Sequence, residues 1–288
     1  MKDRAWAGAA AFVAMAVGGT VVWSVDEQRE NPTPVADVVA AAPSSVDYRV
    51  PTSSPWEPGT PVMITRTRPV PGETIRVGQC TVAYSFTAGD RSFAVTASHC
   101  GTPGDFVWPT AEGESADFRE PVGKFLYSDL YDVQSSRLDV GIIEITDPVY
   151  EMMAPPLTEP TAVAERVDDL PETICKYGMT TGETCGSPVS RAGVEILADH
   201  DGIELQAVAA TAQVCARAGD SGGPVYADLE GRRVIVGLVS GTRDAARESG
   251  CDDPAAGPMT MSYTSMSAIQ TVVDRVIPDA DYQIPIGQ

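Results

Sequence analysis

The feature that constrains this chain most is a series of short apolar runs, each rich in β-branched and aromatic residues and each closed by Gly, Asp or Pro. CTVAYSF begins at Cys80, RSFAVTA at Arg91, DVGIIEI at Asp139, GVEILA at Gly193 and RRVIVGLVSG at Arg232. Runs of this length between turn residues read as strands, and no long helical segment separates them. A doubly wound parallel sheet needs such helices, so the pattern predicts an all-β domain built as barrels or a sandwich. One stretch departs. In SMSAIQTVVDRVI, Met266, Ile269, Val272, Val273 and Val276 recur with helical spacing behind Ser265, a residue type that caps first turns. A C-terminal helix closing the β domain is expected there.

Bulky runs begin only at Arg76, which places the folded domain at 76–280 and leaves 281–288 as a C-terminal tail. Residues 26–75 are rich in Pro, Ser, Thr and Glu and poor in aromatics, the composition of a disordered extracytoplasmic linker. Ahead of it, Lys2 and Arg4 precede an uncharged stretch from Ala5 to Val25 that stops at Asp26 and Glu27. That stretch is long enough to span a bilayer, so residues 1–25 are expected to form a membrane helix. The nearest small-residue cleavage site, AAAP at 40–43, lies well downstream, which favours a signal-anchor over a cleaved signal peptide. The basic flank puts the amino terminus inside. Everything after Asp26 is then extracytoplasmic, anchored by a single pass or secreted if the segment is removed.

Forty acidic residues against twenty basic ones give a net charge of −20, which repels phosphate backbones and excludes nucleic acid as a partner. Cys80, Cys100, Cys175, Cys185, Cys215 and Cys251 all follow the apolar segment, in a compartment expected to oxidise them. Disulfides are the expected state; six thiols allow fifteen pairings, and pairing of sequence neighbours is the expectation. No Cys-x-x-Cys pair occurs and the histidines are His99 and His200, so neither a metal nor another cofactor is expected.

ARAGDSGGPVY, residues 216–226, surrounds one hydroxyl with flexible residues. Glycines there serve a turn in the plain reading. In the chemical reading, Ser221 is a nucleophile on a tight bend whose N–H groups face a developing negative charge, and it then needs a base elsewhere. Both histidines precede the serine, an order that excludes the α/β-hydrolase arrangement. His99 ends a strand-like run beside Cys100, whereas His200 sits among acids next to a glycine turn and reads as a surface residue. For the acid that orients the base, Asp139 introduces an apolar strand; Asp129, Asp132 and Asp147 lie in polar or proline-flanked stretches and read as solvated. The chain order is then His99, Asp139, Ser221, the order of the chymotrypsin-type triad.

At these residues the sequence resembles chymotrypsin-fold serine peptidases: TASHC, LDVGI and GDSGGP are similar to the three signatures of that family. ICKYGMTTGETCG, CARAGDSGGPVY and VGLVSGTR resemble its bacterial branch of streptogrisins and alpha-lytic protease. The resemblance covers residues 76 to 280. It implies two six-stranded antiparallel β-barrels with the active site between them, and the disulfides Cys80–Cys100, Cys175–Cys185 and Cys215–Cys251. It implies that His99 is the general base, that Asp139 orients it, and that the Gly219 and Ser221 N–H groups form the oxyanion hole. Asp220 needs a cationic partner in such a fold, and the matching position is Lys176. Ser240, Gly241 and Thr242 are expected to bind an extended peptide.

The expected activity is that of an extracytoplasmic serine endopeptidase, monomeric, acting on protein or peptide substrates. Gln213, Val214, Ala216, Ala218 and Val239 to Thr242 are expected around the specificity pocket and include no acid, which favours an uncharged side chain before the cut. Asp244, Glu248, Asp252 and Asp253 are the acids near enough in sequence to favour Arg or Lys instead. The alternative is a catalytically idle protease fold that serves as a binding module at the cell surface. The filled triad positions speak against it.

Overall fold

The computed structural model describes residues 47–110, 118–147, 162–166, 170–199, 201–229, 231–244, 250–251 and 257–283. The expected membrane segment lies outside the described residues, among which no helix is long and apolar enough to cross a membrane. The expected linker boundary needs correction. Strands β1 (Asp47–Pro51) and β2 (Pro61–Thr65) both fall within 26–75, and Trp56 between them is fully buried. Their apolar residues are spaced among prolines that open or close a strand, where a missing N–H costs the ladder nothing. The described fold therefore reaches back to at least residue 47, well ahead of residue 76.

The run from Gly78 to Ala88 explains how the first sheet is built. Its first half, β3 (Gly78–Thr81), pairs antiparallel with β2, and its second half, β4 (Tyr84–Ala88), pairs with β5 (Arg91–Thr96). The partner changes in the middle, where Val82 N donates to Thr60 O at 2.9 Å and Ala83 N to Val95 O at 2.8 Å. With β6 (Phe106–Pro109), β7 (Gly123–Ser128) and β8 (Gly141–Ile145), the strand order is β3-β2-β6-β7-β8-β5-β4. The first and last strands are halves of one run, so the sheet returns to its own start. Inside it, Phe86 and Phe93 face each other across β4 and β5 with ring centroids 5.6 Å apart. Such an aromatic pair contributes about 0.5–1.5 kcal/mol beyond its area burial.

The second sheet repeats the device. β9 (Val163–Arg166) leads to β10 (Ile174–Gly178), β11 (Gly182–Gly186), β12 (Pro188–Ala198), β13 (Glu204–Ala212), β14 (Pro224–Leu229), β15 (Arg232–Thr242) and β16 (Met261–Ser265). The path runs β11-β10-β14-β15-β16-β13-β12, and only Ser187 separates the two end strands in sequence. Both sheets are consistent with barrel-like units. Each path shows seven pieces rather than six strands because one bent run counts twice. Helix α1 (Met266–Val276) buries Met266, Ile269, Val272 and Val273, the face that its spacing predicted. Ser265 occupies the N-cap position, but its hydroxyl meets Ser267 Oγ at 3.2 Å instead of a backbone N–H. The tail begins as a strand, β17 (Tyr282–Gln283), paired with β1, which also pairs with β9. Three disulfides, Cys80–Cys100, Cys175–Cys185 and Cys215–Cys251, staple the domain.

Candidate active site

Register alone brings two of the expected residues together. β5 and β8 are antiparallel neighbours with Thr96 opposite Gly141, so the residues just after β5 face those just before β8. His99 lies in a 3-10 turn, Ser98–Cys100, which the Cys100–Cys80 bond ties to β3. Its Nδ1 is 2.9 Å from Asp139 Oδ2, and its backbone N–H donates to Asp139 Oδ1 at 3.0 Å. A carboxylate only accepts, so the Nδ1 proton is held there and Nε2 carries the lone pair. Burial disfavours the imidazolium, but the Asp139 carboxylate, with a smaller contribution from Asp199, outweighs it and raises the His99 pKa above its ordinary 6.5. Ser98 is buried with its hydroxyl 3.0 Å from Ser128 Oγ and accepting from Leu130 N at 2.9 Å.

Ser221 comes from the second sheet, on the loop into β14. Gly222 N donates to Val239 O at 2.7 Å and Thr81 N donates to Ser221 O at 2.8 Å, so both sheets grip the loop. Gly219 has φ +97, and a Cβ there would lie 2.3 Å from Thr180 Oγ1. Left-handed backbone and missing space both require glycine. Among the described residues, neither the Gly219 N–H nor the Ser221 N–H has a hydrogen-bond partner. They are the two donors expected to face an oxyanion.

Asp220 points away from Ser221 into a dense network. Its Oδ1 accepts from Thr180 N at 3.0 Å and Thr181 N at 3.1 Å; its Oδ2 accepts from Arg217 N at 2.9 Å and Thr181 Oγ1 at 2.6 Å. Lys176 Nζ donates to Asp220 Oδ2 at 3.0 Å, to Gly182 O at 2.9 Å and to Thr181 Oγ1, and both charged side chains are fully buried. Burial pushes the lysine pKa down while Asp220 opposes that shift. The Thr-Thr-Gly loop is thus a wrapper for one ion pair. Breaking such a pair from one side costs about 3–5 kcal/mol.

His99, Ser221, Gly219, Ser240, Gly241 and Thr242 all line one cavity of about 560 Å³. Ala218 lines it too, whereas Gln213, Val214, Ala216 and Val239 do not. Asp244 turns instead to Thr260 N, at 2.7 Å, and Glu248, Asp252 and Asp253 lie outside the described residues, as does His200. Asp199, Glu204 and Arg217 reach the cavity unforeseen. Asp199 Oδ1 accepts from Asp201 N and Ile203 N, the Asx-turn pattern that Asp-x-Asp-Gly encodes, which was its only local signal. Asp129 also differs from expectation. It is fully buried, 2.6 Å from Arg275 Nη2 and accepting from Leu138 N at 2.9 Å, so it braces the segment that delivers Asp139. Among the described residues no cluster of His, Cys, Asp and Glu has the makings of a metal site.

A hydroxyl, an imidazole fixed by a buried carboxylate, and paired N–H donors are the parts that acyl transfer requires. The sequence model of the family described as trypsin matches residues 76–256. No curated protein matches the chain. Among solved structures, Thermobifida fusca protease A is similar at 18% identity and TM-score 0.47, over 80% of this chain and 98% of that one. Nocardiopsis protease is similar at 19% and 0.48, over 76% and 95%, and Cellulomonas bogoriensis chymotrypsin at 17% and 0.45, over 80% and 98%.

Proposed function

Since the chain belongs to the trypsin family and is a chymotrypsin-like serine peptidase, we propose that it is an extracytoplasmic endopeptidase working through His99, Asp139 and Ser221. His99 Nε2 takes the Ser221 proton as Oγ attacks a peptide carbonyl, and a tetrahedral intermediate forms with its negative oxygen on the Gly219 and Ser221 N–H groups. The imidazolium then gives the proton to the departing amine, the C–N bond breaks, and an acyl-enzyme remains. Water, deprotonated by the same imidazole, releases the acid. Asp139 keeps the proton on Nδ1 throughout and stabilises the cation. Each oxyanion donor is worth about 3 kcal/mol in the transition state. The substrate runs as an added strand along Ser240, Gly241 and Thr242, which supply backbone groups.

The observation that carries this reading is that His99 and Ser221 line one cavity while Asp139 holds the far side of the imidazole at 2.9 Å. Residues 1–25 serve as a membrane anchor with the amino terminus inside, which confines substrates to the extracytoplasmic side; the disulfides agree with an oxidising compartment. Stoichiometric labelling of Ser221 by an organophosphonate tests the nucleophile, and Ser221→Ala should abolish both labelling and turnover, the latter by about 10⁶-fold. A folded chain that resists the probe would overturn the proposal.

A further inference from the structure

We propose that the connection between β2 and β3 is a strap latched across the catalytic cleft, which holds folded proteins away from Ser221 until its ion pairs open. The inference rests on the reading of Ser221 as the nucleophile. Arg66 directly follows β2 and Arg76 shortly precedes β3, and both converge on Asp201 at the tip of the β12–β13 hairpin. Arg76 Nη1 lies 2.6 Å from Asp201 Oδ1, and Arg66 Nη2 bonds the other carboxylate oxygen. The strap belongs to the first sheet and the hairpin to the second.

The position of the latch follows from its neighbours. Val77 and Gly78, next to Arg76, line the cavity that holds His99 and Ser221; so do Ala198 and Glu204, on either side of the hairpin tip. The ion pairs therefore join one wall of the cleft to the other. A second tie runs in parallel, from Tyr131 Oη to Asp199 Oδ2 at 2.7 Å. Asp199 also accepts from Asp201 N at 2.9 Å, so the backbone that carries the latch carboxylate is tied to a buried anchor. The arginine side chains are themselves 51% and 69% exposed. Ion pairs at such a rim are weak and screened by salt, which suits a closure that must open. A slender extended peptide passes beneath the strap, whereas a folded loop with bulk on both flanks meets it.

The test compares the full chain with Asp201→Asn and with the double variant Arg66→Gln, Arg76→Gln, which release the latch from opposite ends. Each is assayed on a short peptide ester and on a native globular protein, at low and high salt, with phosphonate labelling of Ser221 in parallel. Both variants are expected to cleave the globular protein several-fold faster at low salt and the ester at the unchanged rate, while the natural chain makes the same gain only at high salt. Labelled enzymes whose ratio of protein to ester cleavage stays the same in both variants would overturn the strap alone. Absence of labelling in all three proteins would overturn the nucleophile and the strap together.

Discussion

In the proposed mechanism the imidazole of His99 sets the pH behaviour of the site, because catalysis needs it neutral while Asp139 and Asp199 favour its cation over the opposition of burial. The acid limb of kcat/KM should therefore lie above pH 6.5, the ordinary histidine value. Stability runs the other way: a raised folded pKa stabilises the fold fully below 6.5, and that contribution is lost as pH rises through the folded value. Replacing Asp139 by Asn should move the acid limb down and cut kcat by about 10⁴-fold through the wrong tautomer. A pH–rate profile of the variant checks both at once. At Lys176 the expectation concerns coupling. Lys176→Ala strands the Asp220 carboxylate without its cation and should cost about 3–5 kcal/mol, while adding Asp220→Asn should recover part of the loss. Denaturation midpoints of the two single variants and the double variant measure that coupling, and turnover should fall in Lys176→Ala because Asp220 shapes the Gly219–Ser221 backbone.

At the scale of elements, helix α1 does more than close the second sheet. Arg275 in its last turn reaches Asp129 Oδ1 at 2.6 Å and Tyr127 Oη at 2.7 Å, bracing the segment between β7 and Asp139. Arg275→Ala should cost about 1.5–3 kcal/mol, the worth of hydrogen bonds to a charged group, and loosen Asp139 enough to lower kcat more than it raises KM. Thermal unfolding and steady-state rates check the two halves. The apolar face of this helix was legible because its period is local, and CTVAYSF, RSFAVTA, DVGIIEI and RRVIVGLVSG all became strands for the same reason. GDSGGP and the Thr-Thr-Gly loop were legible as short motifs whose partners the fold repeats. β1 and β2 were hidden by proline and serine around them, since composition averages over a window while Trp56 and the apolar residues of PVMIT act singly. The Tyr131–Asp199 and Arg275–Asp129 contacts, at separations of 68 and 146 residues, carry no periodic signal at all.

The proposed mechanism requires a serine from one sheet to be held near a histidine from the other, and one side chain ties the two sheets at that seam. Thr81 ends β3 in the first sheet, yet its N–H donates to Ser221 O and its hydroxyl donates to Gly219 O, both at 2.8 Å. The same hydroxyl accepts from Met179 N at 3.1 Å, in the connection between β10 and β11. By holding the Gly219 carbonyl on the first sheet, Thr81 fixes the Gly219–Asp220 peptide plane, which adjoins the Ala218–Gly219 plane that carries the Gly219 N–H. Thr81→Val keeps the shape and the backbone donor but leaves the Gly219 carbonyl and the Met179 N–H unmatched, a cost of about 1–3 kcal/mol. Part of that cost should appear in catalysis, because a loop freed to rotate aims its N–H less well at the tetrahedral oxygen. The expected result is a kcat lowered by about 10–100-fold with KM little changed, since the donor acts mainly on the transition state. Thr81→Ser, which restores the hydroxyl without the methyl, should recover most of the rate. A loss in Ser with none in Val would show that Thr81 matters for packing alone, and would leave the registry between the two sheets to the backbone contacts at Ser221 and Gly222.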